Sequence, residues 1–296
     1  RVVFSSRETL TRTRRDLRAQ PRALYLAPLQ LLENIFSVLF PSDCRLCQTS
    51  LNNLSRIPVC QECLAQIEPT RAPQCIVCGD RLAAATLLMG DGRCSNCRDS
   101  APEFDRALSF GEYDAGLRAL IHLLKYERVT PVAAPLGEML ARVITEVIGS
   151  CDAHPVLIPV PLHKSRRRSR GFNQSELIAH AAVRHLPQTL EVLDSALIRH
   201  RDTVSQVGLS REERIENMRD AFRVVQPSRI NGRDIVLVDD VMTTGTTLSE
   251  CARVLKQAGA ERVWAATVAR AFDSASQMAA DPGEEEAIEV GEPISF

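Results

Sequence analysis

The chain has 296 residues, of which 36 are Lys or Arg and 37 are Asp or Glu, giving a formal net charge of −1. Hydrophobic residues at 45% and charged ones at 25% suffice for a sizeable core, and the length fits two domains plus tails. The balanced charge excludes a global field that would commit the whole molecule to nucleic acid or to a membrane surface, although the N-terminal segment is Arg-rich and the C-terminal one acidic.

The sequence begins at Arg1 without Met, so its true start is expected to lie upstream or to have been trimmed. Arg12, Arg14, Arg15, Arg18 and Arg22 precede an apolar stretch, Leu24 to Phe40. Pro28, Gln30, Glu33 and Asn34 interrupt that stretch, which leaves no clean run of about 18 apolar residues. Leu31, Leu32, Ile35, Leu39 and Phe40 share a helical face, so the expectation is an amphipathic helix packed on the body, without membrane insertion. Residues 1–20 are expected to be disordered, and 1–43 form the first segment.

Eight of the ten cysteines lie in four Cys-x-x-Cys pairs within residues 44–100. Cys44, Cys47, Cys60 and Cys63 make one set, and Cys75, Cys78, Cys94 and Cys97 make another. Paired knuckles at this spacing suit tetrahedral thiolate sites, so two structural zinc ions are expected. Sequential pairing gives a double zinc ribbon; interleaved pairing of the first knuckle with the third stays open. The segment is poor in aliphatic residues, and zinc, with apparent binding energies of about 10–16 kcal/mol per site in finger peptides, would serve as its core. A redox role for the knuckles lacks a thioredoxin-like context. No secretory signal precedes them, and reduced, metal-bound thiols point to the cytoplasm. Cys151 and Cys251 stand alone and read as small buried hydrophobes.

From Arg106 the pattern becomes α/β, over 101–272. Strands are expected at Ala107–Tyr113, Val156–Val160, Ala196–Arg199, Phe222–Val225, Ile235–Val238 and Arg262–Arg270. Helices are expected at Leu117–Lys125, Ala133–Val147, after Gln174 to about His185, around Ser210–Met218 and at Leu248–Ala258. This order argues for a parallel sheet with helices on both faces, followed by a solvated acidic tail over 273–296.

The most informative stretch is Asp234–Thr247, DIVLVDDVMTTGTT. Ile235–Val238 reads as a central strand buried on both faces. Asp239 and Asp240 close it, and Thr243, Thr244, Gly245, Thr246 and Thr247 form a hydroxyl- and glycine-rich loop before a helix. Backbone N–H groups in such a loop, with the helix N-terminus behind them, suit a phosphate; Gly245 is expected to keep a Cβ out of the anion's way. The two acids can accept from neighbouring sugar hydroxyls. A Thr-capped strand-to-helix turn is the competing reading, and the gapless junction of acid pair and TTGTT argues against it.

This run resembles the phosphoribosyl pyrophosphate (PRPP) motif of type I phosphoribosyltransferases. The resemblance implies a PRPP site at Asp239, Asp240, Thr243, Thr244, Gly245, Thr246 and Thr247. It speaks less firmly for catalysis, since some members of that superfamily bind PRPP or nucleotides as regulators.

A second phosphate site should lie at another strand end. Val156–Val160 runs into Pro161-Leu162-His163, then Lys164, Arg166, Arg167, Arg168 and Arg170. These cations suit a diphosphate clamp; a solvated basic loop or a nucleic-acid patch is the alternative. Lys125, at a helix end, is either a surface cation matching the helix dipole or a further pyrophosphate contact. His163 reads as a surface loop residue, and no general base is assigned.

Ile158-Pro159-Val160-Pro161-Leu162, Arg170-Gly171-Phe172-Asn173-Gln174-Ser175, Leu124-Lys125-Tyr126 and the later Arg199, Thr203, Ser205, Gln206, Leu209, Ser210, Arg214, Asn217 and Phe222 resemble the ComF/GntX family in order. The resemblance spans residue 44 to about 270, and departs from many members in having cysteines for two metal sites. It implies a link to DNA uptake in natural transformation, with single-stranded DNA and a competence helicase as partners. Thr203, Ser205 and Gln206 would lie in a flexible loop closing over the site. The leading expectation is a PRPP-dependent transferase-like protein using Mg²⁺ with PRPP; the other is a non-catalytic DNA or helicase-binding module with a regulatory PRPP pocket. Second substrate and oligomeric state stay open.

Overall fold

The computed structural model describes residues 42–51, 56–82, 90–149, 155–203 and 211–272. The segment 1–41 with its expected helix, Cys151, Ser205, Gln206, Leu209, Ser210 and the acidic tail lie outside these residues.

Apolar runs with no polar alternation must be covered on both faces, and the strands built from them form the middle of the sheet. Strands β3 (Arg106–Glu112), β8 (Arg262–Arg270), β7 (Asp234–Met242) and β4 (Val156–Pro159) lie in that order, all parallel. Ile235, Val236, Leu237 and Val238 are fully buried. One polar thread crosses the sheet: the hydroxyls of Ser109 and Thr267 meet at 2.7 Å, which satisfies two polar groups inside the core.

Helices α3 (Ala115–Lys125), α4 (Ala133–Ile148) and α6 (Gln174–Ala182) cover one face of the sheet. Helix α3 buries Leu117, Leu120, Ile121, Leu123 and Leu124 on a single stripe, each such side chain worth about 1.5–3 kcal/mol when fully buried. Helices α4 and α6 cross so closely that a Cβ on Gly137 would lie 2.4 Å from the Cβ of Ala181, which requires glycine there. Helix α8 (Thr246–Gln257) covers the other face, with the two-stranded antiparallel pair β5 (Leu197–Arg199) and β6 (Phe222–Val224) and helix α7 (Arg211–Met218) beside it.

The cysteine-rich residues are tied to both faces. Strands β1 (Ser42–Asp43) and β2 (Ser50–Leu51) and helix α1 (Gln61–Ala65) carry the first set. Cys44 and Val59 join the core under α3 and α4. Helix α2 (Ser95–Asp99) carries the end of the second set, whose four cysteines join the core on the α8 side.

Two expectations change. The strand does not stop before the acid pair: β7 continues to Met242, because Asp239, Val241 and Met242 still pair with Thr267, Ala269 and Arg270 of β8. The basic stretch after β4 is a helix, α5 (Lys164–Arg170), where a loop was expected. His163 caps it by accepting from the Ser165 N–H, and Gly171, left-handed at φ +89°, ends it. Among the described residues no helix is long and apolar enough to cross a membrane.

Candidate functional site

Parallel strands bring their carboxyl ends to one edge, and β7 delivers both acids there. Asp239 is half-buried; its Oδ1 accepts from the Ser175 hydroxyl at 2.8 Å and from the Asp240 N–H at 2.9 Å. Asp240 is only 3% exposed. Its Oδ1 lies 3.2 Å from Lys125 Nζ, while its buried Oδ2 has no hydrogen-bond partner. A carboxylate oxygen left unpaired in a buried position costs free energy unless a ligand completes it.

The charges of this cluster act on one another. Burial, then the neighbouring Asp240, pushes Asp239 up to about 7, against the opposing hydrogen bond of Ser175 and charge of Lys125. Burial alone would push Lys125 down, but Asp240 above all holds it well above the ordinary lysine value. The site therefore keeps a permanent cation against the acid pair.

Beyond the acids, Thr243 is exposed and Thr244 partly buried, their loop closing at Gly245 with φ +78°. The hydroxyls of Thr244 and Thr246 meet at 2.9 Å, and no side chain caps the N-terminus of α8. The need for glycine here differs from the expected one. A Cβ on Gly245 would lie 2.6 Å from the Met242 methyl and 3.6 Å from the Phe104 ring, so it would strike the packing beneath the loop. Left-handed backbone and close packing, together, fix this residue.

The five cations of α5 separate into two kinds. Arg167 pairs with Glu176 at 3.1 Å; Arg170 donates to Gln174 and lies 5.9 Å from the Tyr126 ring. Lys164, Arg166 and Arg168 are exposed and have no ion-pair partner among the described residues. Lys125 is brought to the acid pair rather than to α5. Arg199 and Arg214, noted from the family pattern, are buried, each with an unpartnered Nε. Burial and then the charge of Arg166 lower Arg199, which places the exposed end of α5 within electrostatic reach of it. His163 Nδ1 lies 3.1 Å from Asp202, and Cys251 is fully buried in α8.

Sequence reasoning gave Ser175 no role of its own. Asn173 caps α6 by accepting from the Ser175 N–H and donates to the Val160 carbonyl, and this directs the Ser175 hydroxyl to Asp239. The Asn cap before a helix was the available signal.

The structure groups the cysteines sequentially. Cys44, Cys47, Cys60 and Cys63 form one cluster and Cys75, Cys78, Cys94 and Cys97 the other, with all sulfurs of a set within 4.8 Å of one another. Sulfur separations of 3.7 Å between Cys47 and Cys60 and 3.6 Å between Cys78 and Cys94 match the edge of a tetrahedron with Zn–S bonds of about 2.3 Å. Four thiols so close cannot all ionise without a cation. Cys78 is lowered to about 5, led by the hydrogen bond from Cys97, and Cys63 is raised to about 12, led by Cys60. Both sets fit structural zinc in donor type, number and spacing.

Comparison with known proteins agrees with this division. A family model described as a double zinc ribbon domain matches residues 35–102, and one described as a phosphoribosyl transferase domain matches residues 173–284. A protein of Escherichia coli named DNA utilization protein YhgH is 34% identical over 230 residues, covering 75% of this chain and 94% of its own. Competence protein F of Haemophilus influenzae is 29% identical over 235 residues, covering 78% and 98%. Among solved structures, a hypoxanthine phosphoribosyltransferase of Staphylococcus aureus aligns at a TM-score of 0.30 and 13% identity, over 46% of this chain and 63% of that one. With a double zinc ribbon ahead of a phosphoribosyltransferase-type parallel sheet, and relatives matched over nearly their whole length, the chain belongs to the ComF/GntX family.

Proposed function

We propose that this protein binds PRPP with Mg²⁺ at the carboxyl end of β7. The observation that carries the reading is Asp240: buried, anchored through one oxygen to Lys125 and left with the other unpartnered beside the Gly245 loop. Asp239 and Asp240 would hold the ribose hydroxyls and the metal, and Thr243, Thr244, Gly245, Thr246 and Thr247 the ribose phosphate. Lys125 orients the buried acid through its 3.2 Å contact with Oδ1. The α5 cations, Arg166 and Arg170 foremost, would meet the pyrophosphate. Charge stabilisation of a departing pyrophosphate by such cations is what a phosphoribosyl transfer needs.

Calorimetry of PRPP with and without Mg²⁺ tests this. Asp240→Asn should weaken PRPP by at least tenfold. Changing Arg166 and Arg168 to Ala should weaken PRPP far more than ribose 5-phosphate, which lacks the diphosphate. Equal PRPP affinity in Asp240→Asn and the parent protein would remove the assignment.

A second reading has its own observation. Lys164, Arg166 and Arg168 are exposed and have no ion-pair partner among the described residues, and Arg170 of the same helix lies 5.9 Å from the partly exposed Tyr126 ring. Cations beside an aromatic face suit single-stranded DNA, in keeping with relatives named for competence and DNA utilization. Salt titration of single-strand binding is the test: for each phosphate that a substituted cation no longer neutralises, the slope should fall by about 0.7. The two readings are compatible, since α5 lies at the mouth of the same edge.

A further inference from the structure

Arg270 is the last residue of β8, paired in register with Met242 of β7 and Glu112 of β3. It is only 4% exposed, yet its Nε and Nη1 have no hydrogen-bond partner. Among the described residues the one carboxylate paired with it is Asp80, at a loose 3.9 Å from Nη2. A buried guanidinium this poorly paired is costly, so the fold must offer it another negative charge.

That charge is available two residues away from Asp80. Asp80 lies two residues after Cys78, and its carbonyl accepts from the Cys75 N–H at 2.7 Å, so Arg270 abuts the first knuckle of the second cysteine set. Four thiolates around a divalent zinc carry a net double negative charge. Of the two cations adjacent to these cysteines, Arg98 is committed to Asp91 at 2.8 Å and Arg93 is exposed. Arg270 is the buried cation left to balance the site.

The same residue stands beside the phosphate loop. Met242, its register partner, and Phe104 belong to the apolar cluster that contains Cys75, Cys78, Cys94 and Cys97. These two side chains form the surface that a Cβ on Gly245 would strike. The second cysteine set thus shares one apolar cluster with Met242 and Phe104, and those two side chains lie against the Gly245 turn.

We propose that Arg270 is the positioning counter-cation of the second zinc site, and that zinc at this site, through Met242 and Phe104, holds the Gly245 loop in shape. The first half of the proposal is independent of what the loop binds; the second half rests on the PRPP reading only for its consequence in ligand affinity. The first cysteine set packs on the opposite face, under α3 and α4, away from Met242 and Phe104.

Competition with a chromophoric zinc chelator tests the first half in the full chain. Arg270→Met should release one of the two zinc ions about 10–100-fold more readily, the loss expected when a partner of a metal ligand is removed, while Arg270→Lys recovers part of it. Both ions held as in the parent protein would overturn the assignment. Should Arg270→Met fail to fold, Asp80→Asn decides: freeing Arg270 from its carboxylate should tighten that zinc severalfold, and unchanged or weaker zinc would overturn the proposal. For the second half, amide hydrogen exchange over residues 243–249 should accelerate in Cys94→Ser and stay at the parental rate in Cys60→Ser. Equal exchange in the two variants would refute the coupling.

Discussion

The two cysteine sets have the same chemistry and different surroundings. In the first, Cys44 is buried, Cys60 and Cys63 are partly exposed and Cys47 is exposed; in the second all four are buried. The first leans on α3 and α4, and its outer link is the exposed Arg45–Glu127 pair at 3.1 Å. The second belongs to the apolar cluster that holds Met242 and Phe104, which lie against the candidate phosphate loop, and has the buried Arg270 near its Asp80. Identical spacing therefore does not imply identical surroundings: the first set joins the core under α3 and α4, and the second joins the cluster that holds Met242 and Phe104.

The largest expected effect breaks that symmetry. Cys94→Ser should destabilise the protein by about 4–5 kcal/mol or more, the range reached by loss of a structural metal, with a smaller loss for Cys60→Ser. Thermal unfolding of purified variants, with zinc content measured alongside, checks the order. Next, Gly245→Ala should cost about 2–4 kcal/mol, combining a left-handed backbone with overpacking against Met242. A companion Met242→Ala change, which makes room, should restore part of the loss in denaturant melts.

A smaller, pH-dependent effect belongs to the acid pair. Asp239 holds its proton more tightly in the folded state, up to about 7. Its contribution to stability is present at low pH and is lost as pH rises from the ordinary aspartate value through about 7. Without ligand, Asp239→Asn should thus stabilise the protein at pH 8 relative to pH 5, as midpoint shifts in urea would record. The smallest effect is at the first set: Arg45→Met removes an exposed ion pair, costs about 0–1 kcal/mol and leaves zinc content unchanged.

Local patterns made much of this molecule legible. Ile235–Val238 announced a central strand, the acid pair and TTGTT marked the loop, and cysteine spacing marked two metal sets. What connects these pieces was not legible, because it depends on tertiary geometry. Ser175 and Asp239 are 64 positions apart in the chain, and Lys125 reaches Asp240 only because α3 runs to the carboxyl edge of the sheet. The helical form of α5 was hidden by its composition, since a run of arginines carries no apolar period to read. For Gly245 the sequence offered one reason, room for an anion, and the structure adds another that no local pattern carries, the packing of Met242 and Phe104 beneath the loop. Arg270 gave no sequence signal, being one cation among 36 basic residues until its burial sets it apart.

The central claim is that the second cysteine set and the phosphate loop form one unit. Its most direct test is calorimetric titration of PRPP with Mg²⁺ into the parent protein, Cys60→Ser and Cys94→Ser, each confirmed folded. The account predicts parental affinity in Cys60→Ser and at least tenfold weaker binding in Cys94→Ser. Parental affinity in Cys94→Ser, or equal weakening in both variants, would contradict it.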